Sequence, residues 1–321
     1  MKIVTPSGII ENNDFPRHAC GTDFHQLFLG SEGTLGIIAQ AKLRIHKKPR
    51  HHLWKIALFK NFEAGSIALR EIVHSGIHPA IARLSDAGET DFFSLISHLE
   101  KSGLEKLVQN LTKSYLKSKG YSEPCLLMMR FTIRNESDNI AANIALKIAK
   151  KNGGQQMPSS VAANWENTRF SLPYLRDTLV EHRVLIDTFE TITQWNNLLP
   201  LYQHIHNSLK SKSDYFSKGG TLLCHISHIY VTGASLYFTM IAPQQPGDEV
   251  NQWRQLKKIV SDAITEKGAA ISHHHGIGKD HQHWYLQQLN PDARKLLRAI
   301  KHHIDPKNIL NPEKLYNAKN D

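Results

Sequence analysis

Apolar residues along this chain alternate between short runs of period two and longer stretches in which they recur every three or four positions. Ile3-Val4-Thr5 and Ile9-Ile10 flank Pro6-Ser7-Gly8 and predict a hairpin. The pattern from Leu35 to Ile45 predicts another strand, and His46-Lys47-Lys48-Pro49-Arg50-His51-His52 marks a polar boundary. Beyond it the spacing predicts a strand over 53–59, a helix over 61–75 with Asn61 as N-cap and Gly76 as stop, and a strand over 79–84. A helical region over 91–118, a strand over 125–133 and a helix over 137–151, closed by Gly153-Gly154, follow. The second half repeats the theme. It predicts strand 183–189, helix 191–211, strands 221–230 and 234–242 joined by Val231-Thr232-Gly233, and helix 249–267 ended by Gly268. A short strand then reaches three consecutive histidines, and a last helix is expected over 291–303.

The order β-α-β-β-α-β is that of the ferredoxin-like unit. It predicts an α+β fold whose mainly antiparallel sheet is covered by helices on one face. A length of 321 residues exceeds one average core and predicts two domains. No apolar run approaches the roughly 20 residues that span a bilayer, and the first residues carry no secretory signal pattern. The three cysteines, Cys20, Cys125 and Cys224, are far apart and odd in number, which argues against a disulfide framework and for a cytoplasmic location. A net charge of +10 favours anionic partners such as phosphorylated metabolites or acidic lipid surfaces. With no arginine-rich tail and no interleaved aromatic motif, nucleic acid is not expected as a partner. In the region 91–118, Phe92, Phe93, Ile96, Leu99, Leu104, Leu107, Val108, Leu111 and Leu116 form an irregular apolar stripe beside Lys101, Lys106, Lys113 and Lys117. A core-facing helix and a helix lying in a membrane interface both read this way.

Two motifs carry candidate chemistry. Gly30-Ser31-Glu32-Gly33-Thr34-Leu35-Gly36-Ile37-Ile38 places three glycines in seven residues, which lets backbone approach a flat ligand and leaves N–H groups to donate. No Gly-Lys-Ser/Thr follows, so it is not an ATPase phosphate loop, and it is not a dinucleotide fingerprint either. Spacing alone also allows a plain glycine-rich turn. Ser272-His273-His274-His275-Gly276-Ile277-Gly278-Lys279 sets three imidazoles before a turn, where side chains can point into a cavity or form a polar surface. Taken singly, Arg83 and Arg176 read as salt-bridge residues, and Tyr237 between Leu236 and Phe238 reads as core. Trp165-Glu166 and Arg169 read as packing residues.

The run Gly21-Thr22-Asp23-Phe24-His25-Gln26-Leu27-Phe28-Leu29 leading into Gly30 to Ile38 resembles the end of the FAD-binding domain of the vanillyl-alcohol-oxidase type flavoproteins. The resemblance implies FAD as cofactor, with Gly30, Ser31, Glu32, Gly33, Thr34, Gly36 and Ile38 bordering the flavin. The tail Asp305-Pro306-Lys307-Asn308-Ile309-Leu310-Asn311-Pro312 is similar to the family's carboxyl-terminal flavin-side segment and adds Asn311. Members that oxidise lactate or glycolate hold a divalent metal with a Glu-His-Gly motif and a His-x(6)-His strand. The first of those histidines matches His228, but the second matches Tyr237 and the glutamate matches His274, so no metal is expected.

Ser-His-His-His-Gly-Ile-Gly-Lys is instead similar to alkyldihydroxyacetonephosphate synthases and their bacterial relatives. Pro79-Ala80-Ile81-Ala82-Arg83-Leu84-Ser85-Asp86, Pro173-Tyr174-Leu175-Arg176-Asp177 and the hairpin from Cys224 to Phe238 resemble segments of the same family. Guanidinium forks suit a phosphate, and the resemblance implies Arg176, then Arg83, as phosphate ligands, with His225 and His228 at the substrate. Tyr237 and His273, His274 and His275 are implied as the proton-handling residues. The eukaryotic synthases place Arg where this chain has His225. The implied reaction exchanges the acyl group of acyl-dihydroxyacetone phosphate for a fatty alcohol without net redox change. The alternative is an FAD-linked oxidoreductase of 2-hydroxy acids. The expected organisation is residues 1–48 as the last part of an FAD-binding domain, 49–275 as a cap, and 276–321 returning to the flavin side. The diphosphate loop of such domains is not found in this chain. A missing N-terminal FAD-binding half, weak FAD binding by the chain alone, a homodimer and peripheral membrane contact complete the expectations.

Overall fold

The computed structural model describes all residues except 14, 16–19, 50, 100–113, 115, 171–173 and 317–321. Leu104, Leu107, Val108, Leu111, Lys101, Lys106 and Lys113 of the expected helical region, and Pro173, therefore lie outside the described residues. The chain divides into two compact units, one made of Met1–Lys47 with Ala270–Asp321, the other of Lys48–Ala269. Among the described residues no helix is long and apolar enough to cross a membrane.

The larger unit is built on a seven-stranded antiparallel sheet. Its strands are β4 (His51–Phe59), β5 (Ile81–Ser85), β6 (Cys125–Ile133), β7 (Gln155–Met157), β8 (Val184–Gln194), β9 (Thr221–Ile229) and β10 (Gly233–Pro243). Their spatial order is β7-β4-β6-β5-β9-β10-β8. The first four strands, with helices Phe62–His74 after β4 and Glu136–Lys151 after β6, reproduce the complete β-α-β-β-α-β unit. The last three, with helices Trp195–Lys212 after β8 and Glu249–Glu266 after β10, reproduce all of it but the final strand. The two halves meet edge to edge between β5 and β9, where Leu84 pairs with Ile226 and Ser85 with His225.

Capping sets the helix starts. Asn61 accepts the Ala64 N–H at 2.9 Å, and Asn135 forms a reciprocal capping box with Asp138. Alternation along the strands then sorts the two faces of the sheet. Leu84, Ile226, Phe189 and Phe238 face one side, where the two phenyl rings stack 5.0 Å apart. Helix Phe62–His74 packs here so closely that a Cβ on Gly65 would stand 2.6 Å from a Leu84 methyl. The register puts Arg83, Arg130, His225, Tyr237 and Glu190 on the other side. That side is covered in part by helices Ala87–Leu99 and Ser160–Thr168, through Phe93 and Trp165.

Three expectations shift. The strand expected from Leu35 to Ile45 is only Ile37–Gln40, because its partner, the four-residue strand Lys2–Thr5, ends there. The helix expected from 191 begins at Trp195, since Thr191, Ile192 and Thr193 extend β8 against Ser235, Leu236 and Ala234. The short strand expected before the histidines is replaced by bends, and the Ile271 N–H donates to the Gln288 side chain at 3.2 Å.

The smaller unit joins a three-stranded sheet, β1 (Lys2–Thr5), β2 (Gly8–Glu11) and β3 (Ile37–Gln40), to helix Pro291–Ile304 and the tail. Ile3, Phe28, Leu35, Ile304, Leu315 and Tyr316 form its core.

Candidate functional site

On the open side of the larger sheet, four side chains converge where its halves meet. Arg83 lies on β5, His225 on β9, Tyr237 on β10, and Glu89 in the first turn of helix Ala87–Leu99. Glu89 Oε1 accepts from Arg83 at 2.9 Å and from His225 Nδ1 at 2.9 Å. Arg83 in turn donates to His225 Nε2 at 3.0 Å. A histidine that donates through Nδ1 and accepts through Nε2 is neutral. Its pKa is lowered to match, by burial first and by the Arg83 cation next. Burial pushes the Glu89 carboxyl up, but Arg83 and then His225 outweigh it and hold the group down at about 2. The His225 ring stacks on Tyr237 with centroids 4.7 Å apart and planes 20° from parallel. Glu89 thus fixes both the arginine and the imidazole that backs the phenol. Arg83, His225 and Tyr237 were legible candidates, whereas Glu89 was not singled out. The spacing Asp86-x-x-Glu89 before an apolar run is a capping-box pattern that marks the turn.

Asp86 fills the N-cap position and its side chain points to the helix-covered face. It accepts the Glu89 N–H at 2.8 Å and the Tyr202 hydroxyl at 3.1 Å. Burial above all pushes its carboxyl up to about 7, and burial holds the neighbouring His206 down to about 4. An acid with a raised folded pKa stabilises below its unfolded value, here 3.8, and that stability is lost as pH rises to about 7. Asp86→Asn should therefore gain about 3 kcal/mol more over the parent at pH 8 than at pH 5, at about 1.4 kcal/mol per pH unit. Urea unfolding at the two pH values checks this, and equal differences would dismiss it.

His228 stands beside a second carboxylate. The register of β9 and β10 shifts between Ala234 and Leu236, so Ser227 and His228 both oppose Ser235 in a β-bulge. His228 Nδ1 lies 3.1 Å from the Ser227 hydroxyl and 3.3 Å from Oε1 of the buried Glu190. The bulge turns His228 to the face that already carries His225 and Tyr237. Glu190 is the second residue that the sequence reading did not single out, and a lone acid between Phe189 and Thr191 in a strand is its signal. Arg176 lies exposed on helix Leu175–Glu181.

In the smaller unit the histidines stack edge to face, His273 on His274 at 5.3 Å and His274 on His275 at 4.8 Å. His273 is half-buried, and His274 and His275 are exposed. The glycine-rich loop is held from below. Glu32, in the left-handed region at φ 51°, accepts the N–H groups of Ile277 and Gly278 through its carboxylate. Its carbonyl accepts the Asn311 amide at 2.5 Å. Thr34 is buried and donates its hydroxyl to the Ser31 carbonyl at 2.6 Å, and Ser31 is buried as well. Lys301, also buried, donates to Asp305 at 2.6 Å, to the Thr34 carbonyl at 2.8 Å and to the Leu310 carbonyl at 2.8 Å. Gly36 has no room for a Cβ, which would stand 2.5 Å from the Ile3 side chain. Gly30 and Gly33, by contrast, have left-handed φ values of 80° and 72° and open space where a Cβ would project. Leu29, Ile37 and Ile38 expose apolar side chains next to these glycines in sequence. Bare backbone flanked by exposed apolar groups fits a flat ring such as isoalloxazine.

An antiparallel cap sheet with an inward cluster of arginine, imidazole and phenol, and a separate glycine-rich unit, define the class of flavin-linked oxidases and transferases. The chain belongs to the family of FAD linked oxidases, C-terminal domain, whose model matches residues 48–315. The family is one of FAD-dependent enzymes. The chain is 30% identical over 318 residues to an alkyldihydroxyacetonephosphate synthase of Dictyostelium discoideum, covering 98% of this chain and 52% of that protein. It is 24% identical over 318 residues to glycolate oxidase subunit GlcD of Bacillus subtilis, covering 98% of this chain and 62% of that protein. A solved alkyldihydroxyacetonephosphate synthase superposes with a TM-score of 0.71 at 27% identity, over 98% of this chain and 52% of that one. The chain thus spans about half the length of the synthases it matches.

Proposed function

We propose that the chain carries the substrate-handling part of an FAD-dependent enzyme that exchanges the acyl group of acyl-dihydroxyacetone phosphate for a fatty alcohol. The observation that carries this reading is the phenol of Tyr237 stacked on a neutral His225 that Glu89 and Arg83 lock in place. The hydroxy-acid oxidising relatives put a metal-binding histidine at the position of Tyr237, and a phenol suits proton transfer better than metal binding. Bound FAD supplies an electron-poor ring that can hold and release the substrate carbon. Tyr237 takes a proton from that carbon and returns it, and His225 fixes the plane of the phenol. Arg176 and the arginines of the sheet take the phosphate, and His273 to His275 orient the carbonyl. A lipid substrate places the enzyme at the cytoplasmic surface of a membrane, and the net charge of +10 suits acidic headgroups.

Tyr237→Phe in the FAD-loaded enzyme should lower alkyl transfer by about 10²–10⁴-fold. The flavin spectrum and the unfolding midpoint should stay unchanged. Transfer at the parent rate in this variant would refute the role of the phenol. The second reading, oxidation of a 2-hydroxy acid, is favoured by the likeness to glycolate oxidase and by the Glu190–His228 pair. Anaerobic bleaching of the flavin by glycolate or D-lactate would decide for it.

A further inference from the structure

The open face of the larger sheet carries a third arginine that no role has yet absorbed. Trp54 on β4 and Trp165 on helix Ser160–Thr168 meet edge to face with ring centroids 6.1 Å apart. The guanidinium of Arg83 lies 5.7 Å from the Trp165 ring centre, and that of Arg169 lies 5.5 Å from it. Arg130 lies 5.9 Å from the Trp54 ring centre. Two of these cations have carboxylate partners. Arg83 pairs with Glu89, and Arg130 donates to Glu166 at 2.6 Å. Glu166 also accepts the Trp54 indole N–H at 3.1 Å. Among the described residues Arg169 has no carboxylate partner, and it rests on aromatic rings alone, with Phe170 at 4.5 Å. Three arginines against two carboxylates leave one positive charge in the cleft.

The Nε–H groups of Arg83, Arg130 and Arg169 are all buried without an acceptor. Buried donors are normally satisfied, and an unmade bond to a charged group is costly. The position of Arg169 at the C-terminus of helix Ser160–Thr168 suits its charge to the helix dipole, but leaves its Nε–H unanswered. A tetrahedral oxyanion with several acceptor oxygens answers both the surplus charge and the unpaired donors, and guanidinium is the side chain best matched to it. Indole faces beside it cover a short carbon skeleton without adding charge.

We infer that the cleft between Trp54 and Trp165 binds a phosphate monoester, with Arg169 as the ligand that supplies its unpaired charge. This rests on the synthase reading and deepens it. The headgroup of the substrate sits at Arg169 and the arginines of β5 and β6, in addition to the exposed Arg176.

Calorimetric titration of the full chain with dihydroxyacetone phosphate, inorganic phosphate and glycolate tests it. Saturable binding of dihydroxyacetone phosphate and inorganic phosphate is expected, weakened at least about tenfold by Arg169→Gln and less by Arg169→Lys. Arg254→Gln, an exposed change on helix Glu249–Glu266, should leave binding unaltered and so exclude a general charge effect. Equal phosphate binding by the parent and Arg169→Gln would overturn the inference and leave the synthase reading standing. Glycolate binding without phosphate binding would overturn both.

Discussion

Replacing Glu89 by Ala should destabilise the larger unit by about 3–5 kcal/mol, the usual cost of removing one member of a buried ion pair. Glu89 is buried and is the one carboxylate bonded to both Arg83 and His225. Its loss strands the guanidinium beside a neutral ring. Glu89→Gln keeps the shape and removes only the charge, so it should lose less stability yet release Arg83 and the His225 orientation. Alkyl transfer should fall in both variants. Because the folded carboxyl is held at about 2, its contribution is present above the ordinary 4.5 and disappears as pH falls toward 2. Chemical unfolding at pH 7 and at pH 3 reads both effects. A parent–variant difference below about 1 kcal/mol at pH 7 would mean that the cluster is solvated and not the rigid support described here.

Lys301→Met should be the most damaging change in the smaller unit, again by about 3–5 kcal/mol. It leaves the buried Asp305 without its cation and two carbonyls, of Thr34 and Leu310, without a donor. Burial raises the Asp305 carboxyl, but the bonds from Lys301 and from the Leu310 and Ile309 N–H groups lower it overall, so it stays charged. The variant should therefore also loosen the glycine-rich loop, and FAD affinity should fall with stability. Hydrogen exchange on the intact variant checks this. Unchanged protection of the amides from Ser31 to Gly36 would show that Lys301 braces only the tail.

The sequence reading reached most of this architecture because the signals were local. Asn61, Asn135 and the glycines after the helices are punctuation that acts within four residues. The end of β8 was misread because Thr191 to Gln194 suits either a strand or the first turn of a helix. Only the pairing with Gly233 to Tyr237 decides for the strand. Within the site, Arg83, His225 and Tyr237 stood out through family resemblance. Glu89 and Glu190 did not, because an isolated acid in a sequence reads as solvated surface until a non-local partner is known. The bulge at Ser227-His228 leaves no trace in the apolar pattern, since both residues are polar and either could face outward. The meeting of β5 and β9 was likewise invisible, because strands so far apart in sequence pair through no local signal.

That meeting has a dynamic consequence. Two residue pairs join β5 to β9, whereas nine join β4 to β6 and eleven join β10 to β8. The thinnest main-chain bonding in the sheet therefore runs directly under Arg83, Glu89 and His225, which clasp across it like a buckle. A molecule seated on these side chains grips both repeats at once. Occupancy would then be felt as tension between two hinged leaves, and a distant change in either repeat could reach the chemistry by prising that line apart.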